Sequence, residues 1–254
     1  MAGGEARIRK RDRLKARAKR YVDLPLRLRT ADLPRRTASA LVMLAVAAAA
    51  LWQGGAVLHS FIALTALACF VEFALLIVRA TPNVAFRLAA ILGGAAYIGL
   101  AALGLARHDL YHLVAVLGVV IFTDSCAYFA WRAIGGPKIA PRISPSKTWA
   151  GLAGVMAGSA AFLSSYMALA QNSGGRLTLA ETFGIGGGEA LGWALIGAVL
   201  AIAAQVGDFF ESWLKRRAGK KDSSNLIPGH GGVFDRIDGL LPVALIVGLL
   251  AGYA

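Results

Sequence analysis

Residues 212–238 read SWLKRRAGKKDSSNLIPGHGGVFDRID, a block of charge between two segments that are apolar enough to lie in lipid. Five basic residues come first, followed by Asp222, a Pro-Gly-His-Gly-Gly turn at 228–232, and two carboxylates flanking an arginine. Ionised groups in or against membrane segments cost free energy, so their presence there indicates function. We therefore expect the chemistry of this chain in this block.

The composition predicts a membrane protein. Of the 254 residues, 57% are hydrophobic and 16% are charged, and both fractions lie far from those of soluble domains. A membrane helix needs about 20 mostly apolar residues, and we expect an all-α polytopic membrane protein of about seven transmembrane helices with a cytoplasmic-side active site. The last segment is short, which predicts that other helices shield it or that it begins near Asp238. The segments are approximately 38–58, 61–78, 84–106, 110–130, 149–169, 190–207 and 240–254.

The net charge of +13 raises the question of a nucleic-acid partner. However, 13 of the 27 Lys and Arg lie in residues 1–37, and most others border apolar segments, so we expect orientation in a membrane and no nucleic acid. Seven crossings leave only Arg107 and Arg176 on the far side. The pattern predicts a basic cytoplasmic tail (1–37) and a transmembrane catalytic domain (38–254), with both polar loops facing the cytoplasm across a bacterial-type inner (plasma) membrane.

The signature loop, defined here as residues 208–238, carries carboxylates suited to a metal ion. If the preceding helix continues through it, Asp208, Ser212 and Lys215 share one face. Carboxylate oxygens are the hard ligands that Mg²⁺ prefers. An alternative is a salt-bridged helix end, in which Asp208 and Glu211 pair with Lys215 and Arg216. Glu72, within the second apolar segment, either lines the site or pairs with a cation such as Arg79.

Two further features favour phosphate binding. The glycine turn offers backbone N–H groups to a phosphate, and its His230 either donates to phosphate or holds the turn. The second polar loop (131–148) follows a stripe of Asp124, Tyr128 and Arg132, at positions i, i+4 and i+8. Its cations and hydroxyl groups suit a polyphosphate; they are Lys138, Arg142, Ser144, Ser146, Lys147 and Thr148.

The signature loop resembles that of the phosphatidate cytidylyltransferase (CDP-diacylglycerol synthase) family, S-x-hydrophobic-K-R, four residues, K-D, then H-G-G-hydrophobic-x-D-R-hydrophobic-D. The matching residues are Ser212, Leu214, Lys215, Arg216, Lys221, Asp222, His230, Gly231, Gly232, Val233, Asp235, Arg236, Ile237 and Asp238. A second stretch resembles the family's D-x-x-A-Y and S-P-x-K-T-W-E-G elements through Asp124, Ala127, Tyr128, Ser144, Pro145, Lys147, Thr148, Trp149 and Gly151. This chain has Ala150 where the family has Glu and Trp131 where Gly is usual.

The resemblance implies an integral enzyme that uses Mg²⁺ to convert CTP and phosphatidate into CDP-diacylglycerol and pyrophosphate. A second, monovalent cation and a homodimer are further expectations from the family. We expect Asp208 and Asp235 to hold the metal, with Asp238 or Asp124 completing its surroundings, and Lys215 and Arg236 to join them as catalytic residues. The expected substrate-binding residues are Asp124, Ser144, Ser146, Lys147, Thr148, Ser212, Arg216, Lys221, Asp222, His230, Gly231, Gly232 and Asp238.

Three other functional classes share some of these features. A transporter also uses carboxylates within the membrane, but near the midplane, whereas the charges here cluster toward one edge. A CDP-alcohol phosphotransferase needs a D-G-x-x-A-R run, but Asp238-Gly239 continues as Leu-Leu-Pro-Val. A non-catalytic lipid-binding scaffold would show no Mg²⁺-dependent release of pyrophosphate from CTP and phosphatidate.

Overall fold

The computed structural model describes residues 33–172 and 190–251. The predictions for residues 1–32, for most of the connection at 171–189 and for residues 252–254 lie outside this part of the chain. The described helices are α1 (Leu33–Gln53), α2 (Gly55–Ala80), α3 (Val84–Arg107), α4 (Leu110–Ile134), α5 (Trp149–Asn172), α6 (Ala190–Arg217), α7 (Phe234–Ile237) and α8 (Leu240–Ala251).

The first two helices are divided earlier than predicted. We expected the first break after residue 58, but α1 ends at Gln53 and α2 begins at Gly55. Gly54 has a φ of 61°, a conformation that glycine adopts without the steric cost borne by other residues. A single glycine therefore ends α1, although the apolar run continues through it.

Side-chain caps set the starts of three helices. Asn83, Asp109 and Thr148 each accept a hydrogen bond from the backbone N–H three residues later, at 2.9–3.1 Å. Such bonds satisfy N–H groups that have no partner within the helix. The starts of α3, α4 and α5 fall where the sequence predicted them.

Six of the described helices, α1 to α6, are long and apolar enough to cross a membrane. Many of their apolar side chains face outward, including Trp52, which is 91% exposed. A surface of this kind is typical of helices that contact lipid. The chain is a multi-pass membrane protein.

The predicted seventh crossing is shorter than a full span within the described residues. α8 has 12 residues, about 18 Å at 1.5 Å per residue, against a hydrocarbon core of about 30 Å. It packs between other helices, as expected for a short apolar segment. Gly248 lies so close to α3 that a Cβ atom there would be 2.6 Å from the Cα atom of Gly104.

The second polar loop contains a feature that an all-α prediction omits. Strands β1 (Lys138–Ala140) and β2 (Ser144–Thr148) form an antiparallel hairpin in which Lys138 pairs with Thr148 and Ala140 with Ser144. The hairpin leads directly into α5, and the bond from the Trp149 N–H to the Pro137 carbonyl, 3.1 Å, closes its base. The fold is an all-α membrane bundle with one small hairpin at its end.

Two buried clusters hold the bundle together. One joins α4, α5, α6 and α8 around Trp193, which is 1% exposed. The other joins α2, α3, α6, α7 and α8, and includes Phe73 and Phe234, whose rings meet edge to face at 5.9 Å. The second cluster places α7, which carries part of the signature loop, against α2.

Candidate active site

The two polar loops meet at one end of the bundle. Lys147, in β2, forms an ion pair with Asp208, in α6. Close by, the Nε atom of Arg216 donates to the carbonyl of Ile143 at 3.4 Å. The structure thus brings together the two stretches that the sequence selected separately.

α6 continues beyond its apolar part and carries the polar side chains on one face. It runs unbroken to Arg217, as the predicted face requires. Ser212 donates to Oδ1 of Asp208, one turn earlier, at 3.3 Å. The same end of the helix presents Lys215 to Asp235 of α7, beyond the connection between α6 and α7 (218–233).

Lys215 is shared by two buried carboxylates. Its Nζ atom lies 2.6 Å from Oε2 of Glu211 and 2.7 Å from Oδ1 of Asp235. The exposed fractions of the three side chains are 15%, 1% and 5% for Lys215, Glu211 and Asp235. The contact of Glu211 with Lys215 is one of the pairs expected for a salt-bridged helix end. Asp235 adds a second carboxylate from the other side of the signature loop.

Asp235 uses both carboxylate oxygens within the protein. Oδ1 accepts from Lys215, and Oδ2 accepts from the N–H and hydroxyl groups of Ser223 and from the N–H of Gly232, each at 2.8 Å. Burial acts to raise the pKa of Asp235, but hydrogen bonds with Glu211, Lys215 and these groups outweigh it and hold the pKa well below its usual range. Asp235 therefore organises the connection that surrounds it.

Asp238 follows α7 and faces other acids. It accepts a hydrogen bond from the Gly239 N–H at 2.8 Å. Burial and the negative charge of Asp208, with a smaller effect from Asp124, raise the pKa of Asp238 to about 7. Carboxylates from α4, α6 and the segment after α7 are thus near enough to repel one another.

This donor set fits a hard cation that takes few protein ligands. Within residues 33–172 and 190–251, no three His, Cys, Asp or Glu side chains form a ready-made metal site. Mg²⁺ commonly takes only one or two carboxylates and fills its remaining positions with water and substrate phosphate. Asp208 and Asp238 fit that requirement better than Asp208 and Asp235, because the Asp235 side chain is 5% exposed and accepts four hydrogen bonds, whereas the Asp208 side chain is 26% exposed.

The glycine turn is held by side chains of α7 and of α1. Arg236 donates from Nε and Nη2 to the carbonyl of His230, at 3.1 and 2.8 Å. The Nδ1 atom of His230 lies 2.8 Å from the hydroxyl of Ser39. Gly231 has a φ of 83°, and a Cβ atom there would lie 2.6 Å from Oδ2 of Asp235. Two roles were open for His230, donation to phosphate and holding the turn. These contacts support the second.

The predicted phosphate-binding residues of the hairpin differ in exposure. Ser144 and Thr148 are buried, and Thr148 caps α5. Ser146 is exposed, and so are Arg216, Lys221 and Asp222 in the signature loop. The predicted stripe before the hairpin is present, since Arg132 donates to the Tyr128 hydroxyl at 2.8 Å. Ser146, Arg216 and Lys221 are among the exposed groups that a soluble phosphate can reach directly.

Comparison with known proteins assigns the family. A model of the cytidylyltransferase family matches residues 83–253, more than half of the chain. The chain belongs to the cytidylyltransferase family. This match confirms the family that the signature loop predicted.

Three curated relatives of this member of the cytidylyltransferase family are phosphatidate cytidylyltransferases. That of Brucella suis biovar 1 is 44% identical over 135 residues, which cover 53% of this chain and 44% of the relative. That of Haemophilus influenzae is 39% identical over 137 residues, covering 52% and 44%. That of Rickettsia bellii is 36% identical over 140 residues, covering 53% and 54%. The chain spans about half the length of the curated relatives it matches.

One buried acid outside the family match belongs to this site. Glu72 is 4% exposed and accepts hydrogen bonds from four groups of the signature loop. The sequence left its role open, and the structure pairs it with this loop. The available signal was a carboxylate inside an apolar helix, which indicates function by default.

Two apolar cavities flank the site of this family member. One, of about 330 Å³, is lined mainly by α1 to α4, and its charged lining residues are Asp124 and Arg236. The other, of about 550 Å³, lies between α2, α3 and α6, with Arg217 as its charged lining residue. Only the first of these two cavities is lined by a member of the carboxylate cluster, Asp124, and by Arg236, which holds the glycine turn.

Proposed function

We propose that this chain catalyses the transfer of a cytidylyl group from CTP to phosphatidate, giving CDP-diacylglycerol and pyrophosphate in phospholipid biosynthesis. The observation that carries the proposal is the position of Asp124, which lines an apolar cavity together with Arg236 and lies close enough to Lys147 and Asp208 to interact with their charges. A phosphorylated lipid needs both environments side by side. The activity named for the relatives supports the same reaction.

The reaction requires little covalent chemistry from the protein. An oxygen of the lipid phosphate attacks the α-phosphorus of CTP, the bond from that phosphorus to the bridging oxygen breaks, and pyrophosphate leaves. The second pKa of a phosphate monoester is near 6, so the nucleophile is already an anion at pH 7. The protein must therefore bring two anions together and hold them in line, which is the main task of phosphoryl-transfer sites.

We assign the metal to Asp208 and Asp238, with Asp124 nearby. In this assignment Asp238 takes the place of Asp235, which the sequence predicted as the second ligand. A Mg²⁺ ion there would neutralise phosphate charge during the transfer. Lys147, now paired with Asp208, is placed to exchange that carboxylate for a phosphate oxygen. Arg216, which contacts the hairpin, and Lys221 are both exposed and suit the triphosphate.

The lipid phosphate is assigned to the guanidinium group of Arg236. This residue lines the apolar cavity of about 330 Å³, so an acyl chain there would leave the phosphate at the polar end. Lys215 then acts through Asp235, which it holds, rather than on the substrate. Asp124 lines the same cavity, and a bound metal ion would offset its charge.

The membrane orientation follows from the positive charges. We place the N-terminus and the site on the cytoplasmic side of a bacterial-type inner membrane, because cytoplasmic connections carry the excess of Lys and Arg and CTP is found there. The second monovalent cation and the homodimer rest on family resemblance, and light scattering of the purified protein measures the dimer. The transporter alternative is not favoured, since the ion pairs involve helix ends and connections.

The test is a direct assay of the full chain in detergent or nanodiscs. With CTP, phosphatidate and Mg²⁺, we expect CDP-diacylglycerol and pyrophosphate in equal amounts, and neither after chelation or without phosphatidate. Asp208→Asn serves as the inactive control. Absence of CDP-diacylglycerol from the folded wild-type chain would overturn the proposal, whereas pyrophosphate without the lipid product would indicate simple hydrolysis of CTP.

A further inference from the structure

We infer that Glu72 is a positioning residue that holds the connection between α6 and α7 in the geometry the site requires. Its Oε1 atom accepts from the Ser224 hydroxyl at 2.6 Å and the Val233 N–H at 3.1 Å. Its Oε2 atom accepts from the Ser223 hydroxyl at 2.9 Å and the Phe234 N–H at 2.8 Å. Each oxygen thus binds one hydroxyl and one backbone N–H.

The four contacts fasten both ends of one segment. Ser223 and Ser224 lie near the start of the connection, and Val233 and Phe234 lie where it enters α7. All four are more than 150 residues from Glu72 in the chain. One side chain of α2 therefore closes the loop that carries the glycine turn.

The contacts extend from Glu72 to the carboxylates of the site. The Ser223 hydroxyl lies 2.9 Å from Glu72 and 2.8 Å from Oδ2 of Asp235, so its single proton is placed between two carboxylates. Asp235 in turn binds Lys215 at 2.7 Å. A displacement of Glu72 would consequently move the segment that ends at Asp238.

Gly232 leaves the room that Glu72 occupies. A Cβ atom at position 232 would overlap both Oε2 of Glu72 and the hydroxyl of Ser223. The glycine is therefore required by the approach of this carboxylate, in addition to any contact with a phosphate. Gly232→Ala should disturb the connection in the same way as a change at Glu72.

The hydrogen-bond directions make Glu72→Gln an informative variant. Each carboxylate oxygen faces a backbone N–H, which can only donate. Whichever way the amide of glutamine is turned, its NH₂ group faces the N–H of Val233 or of Phe234, and that buried N–H loses its acceptor. Glu72→Asp keeps the acceptors but shortens the side chain by one methylene group.

The first measurement is hydrogen exchange of the full chain in nanodiscs, and it does not depend on the proposed function. We expect faster exchange across 223–234 in Glu72→Gln and Gly232→Ala, with the other helices unchanged. Asp109→Ala, which removes a helix cap from α4, is the control for general destabilisation and should leave 223–234 protected. Unchanged exchange of 223–234 in Glu72→Gln would overturn the inference.

The second measurement concerns the rate and rests on the proposed function. We expect kcat for CDP-diacylglycerol to fall about 10–100-fold in Glu72→Gln, as with other residues that orient metal ligands, with little change in KM for CTP. Glu72→Asp should recover part of kcat. A loss no larger than in Asp109→Ala would reduce Glu72 to a structural role. An inactive wild type would overturn the proposed function, while the exchange data would still decide whether Glu72 holds the connection.

Discussion

Lys215 binds Asp235 at 2.7 Å, and this bond joins the end of α6 to the first turn of α7. The two residues are 20 positions apart, on opposite sides of the glycine turn. Their contact brings the two halves of the signature loop together. Because Lys215 also contacts Glu211 at 2.6 Å, the chain commits its most buried signature-loop cation to holding the loop.

Removal of Lys215 should destabilise the protein strongly. Lys215→Met leaves Glu211 and Asp235 without their shared cation, and loss of one partner of a buried pair typically costs about 3–5 kcal/mol. Thermal unfolding in detergent should show the change. Equal stability of Lys215→Met and the wild type would contradict this account.

The two candidate metal pairs can be separated by calorimetry of Mg²⁺ binding. Asp208→Asn and Asp238→Asn should weaken binding by more than the roughly 10–100-fold typical for a residue that only orients a ligand. Asp235→Asn should bind Mg²⁺ with a smaller loss and show faster hydrogen exchange at 223–234. Loss of binding in Asp235→Asn with unchanged exchange would restore the original assignment to Asp208 and Asp235.

Gly207→Ala should harm both stability and activity. A Cβ atom there would overlap the carbonyl oxygen of Asp238 and lie 2.8 Å from Cγ of Pro242. Overpacking of this kind costs about 1–3 kcal/mol, and here it would push Asp238 away from Asp208. Gly99→Ala is the matched control, since its Cβ atom would meet nothing within 4 Å. Similar melting temperatures and activities for both variants would refute the packing argument.

The smaller cavity should determine the preference for acyl chains. Leu117→Trp fills space in the cavity of about 330 Å³, and Ala90→Trp does so in the cavity of about 550 Å³. We expect Leu117→Trp to lower the rate with dioleoyl relative to dioctanoyl phosphatidate by roughly tenfold, since contacts in apolar pockets are worth about 1–3 kcal/mol per methylene. Ala90→Trp should leave this ratio unchanged, and a similar shift in both variants would argue against the assignment.

The cap of α4 should stabilise the protein in a pH-dependent manner. Burial acts to raise the pKa of Asp109, but hydrogen bonds from His112 and the nearby histidine charges outweigh it, so the pKa lies below its ordinary value of 3.8. A lowered pKa in the folded state stabilises above 3.8, and the effect is lost as pH falls through the folded value.

Melting temperatures of Asp109→Ala and the wild type should therefore differ at pH 6 and converge toward pH 3, from a cap contribution of about 1 kcal/mol. Asn83→Ala is the control, because the capping amide of α3 does not titrate and its deficit should be independent of pH. A deficit in Asp109→Ala that stays constant down to pH 3 would show that the carboxylate charge does not matter.

Much of the site could be predicted because its residues lie close together in the chain. The spacing of Asp208, Ser212 and Lys215 requires only that a helix continue, and α6 does. Asp238 and Asp208 were selected as acids at membrane edges, and the structure places them near each other. The departures at Trp131 and Ala150 have no structural consequence that we can identify beyond ordinary packing at the end of α4 and the start of α5.

Contacts between distant segments were not predictable in the same way. The sequence alone determined the membrane class, the approximate helices and the signature loop, because hydropathy, length and local spacing report on short stretches. Only the tertiary structure decided that Glu72 fastens the loop, that Asp235 is occupied by hydrogen bonds, and that Thr148 caps a helix. Each of these roles depends on which donors reach a given oxygen. The packing of α2, α6 and the hairpin in the folded protein determines which donors do so.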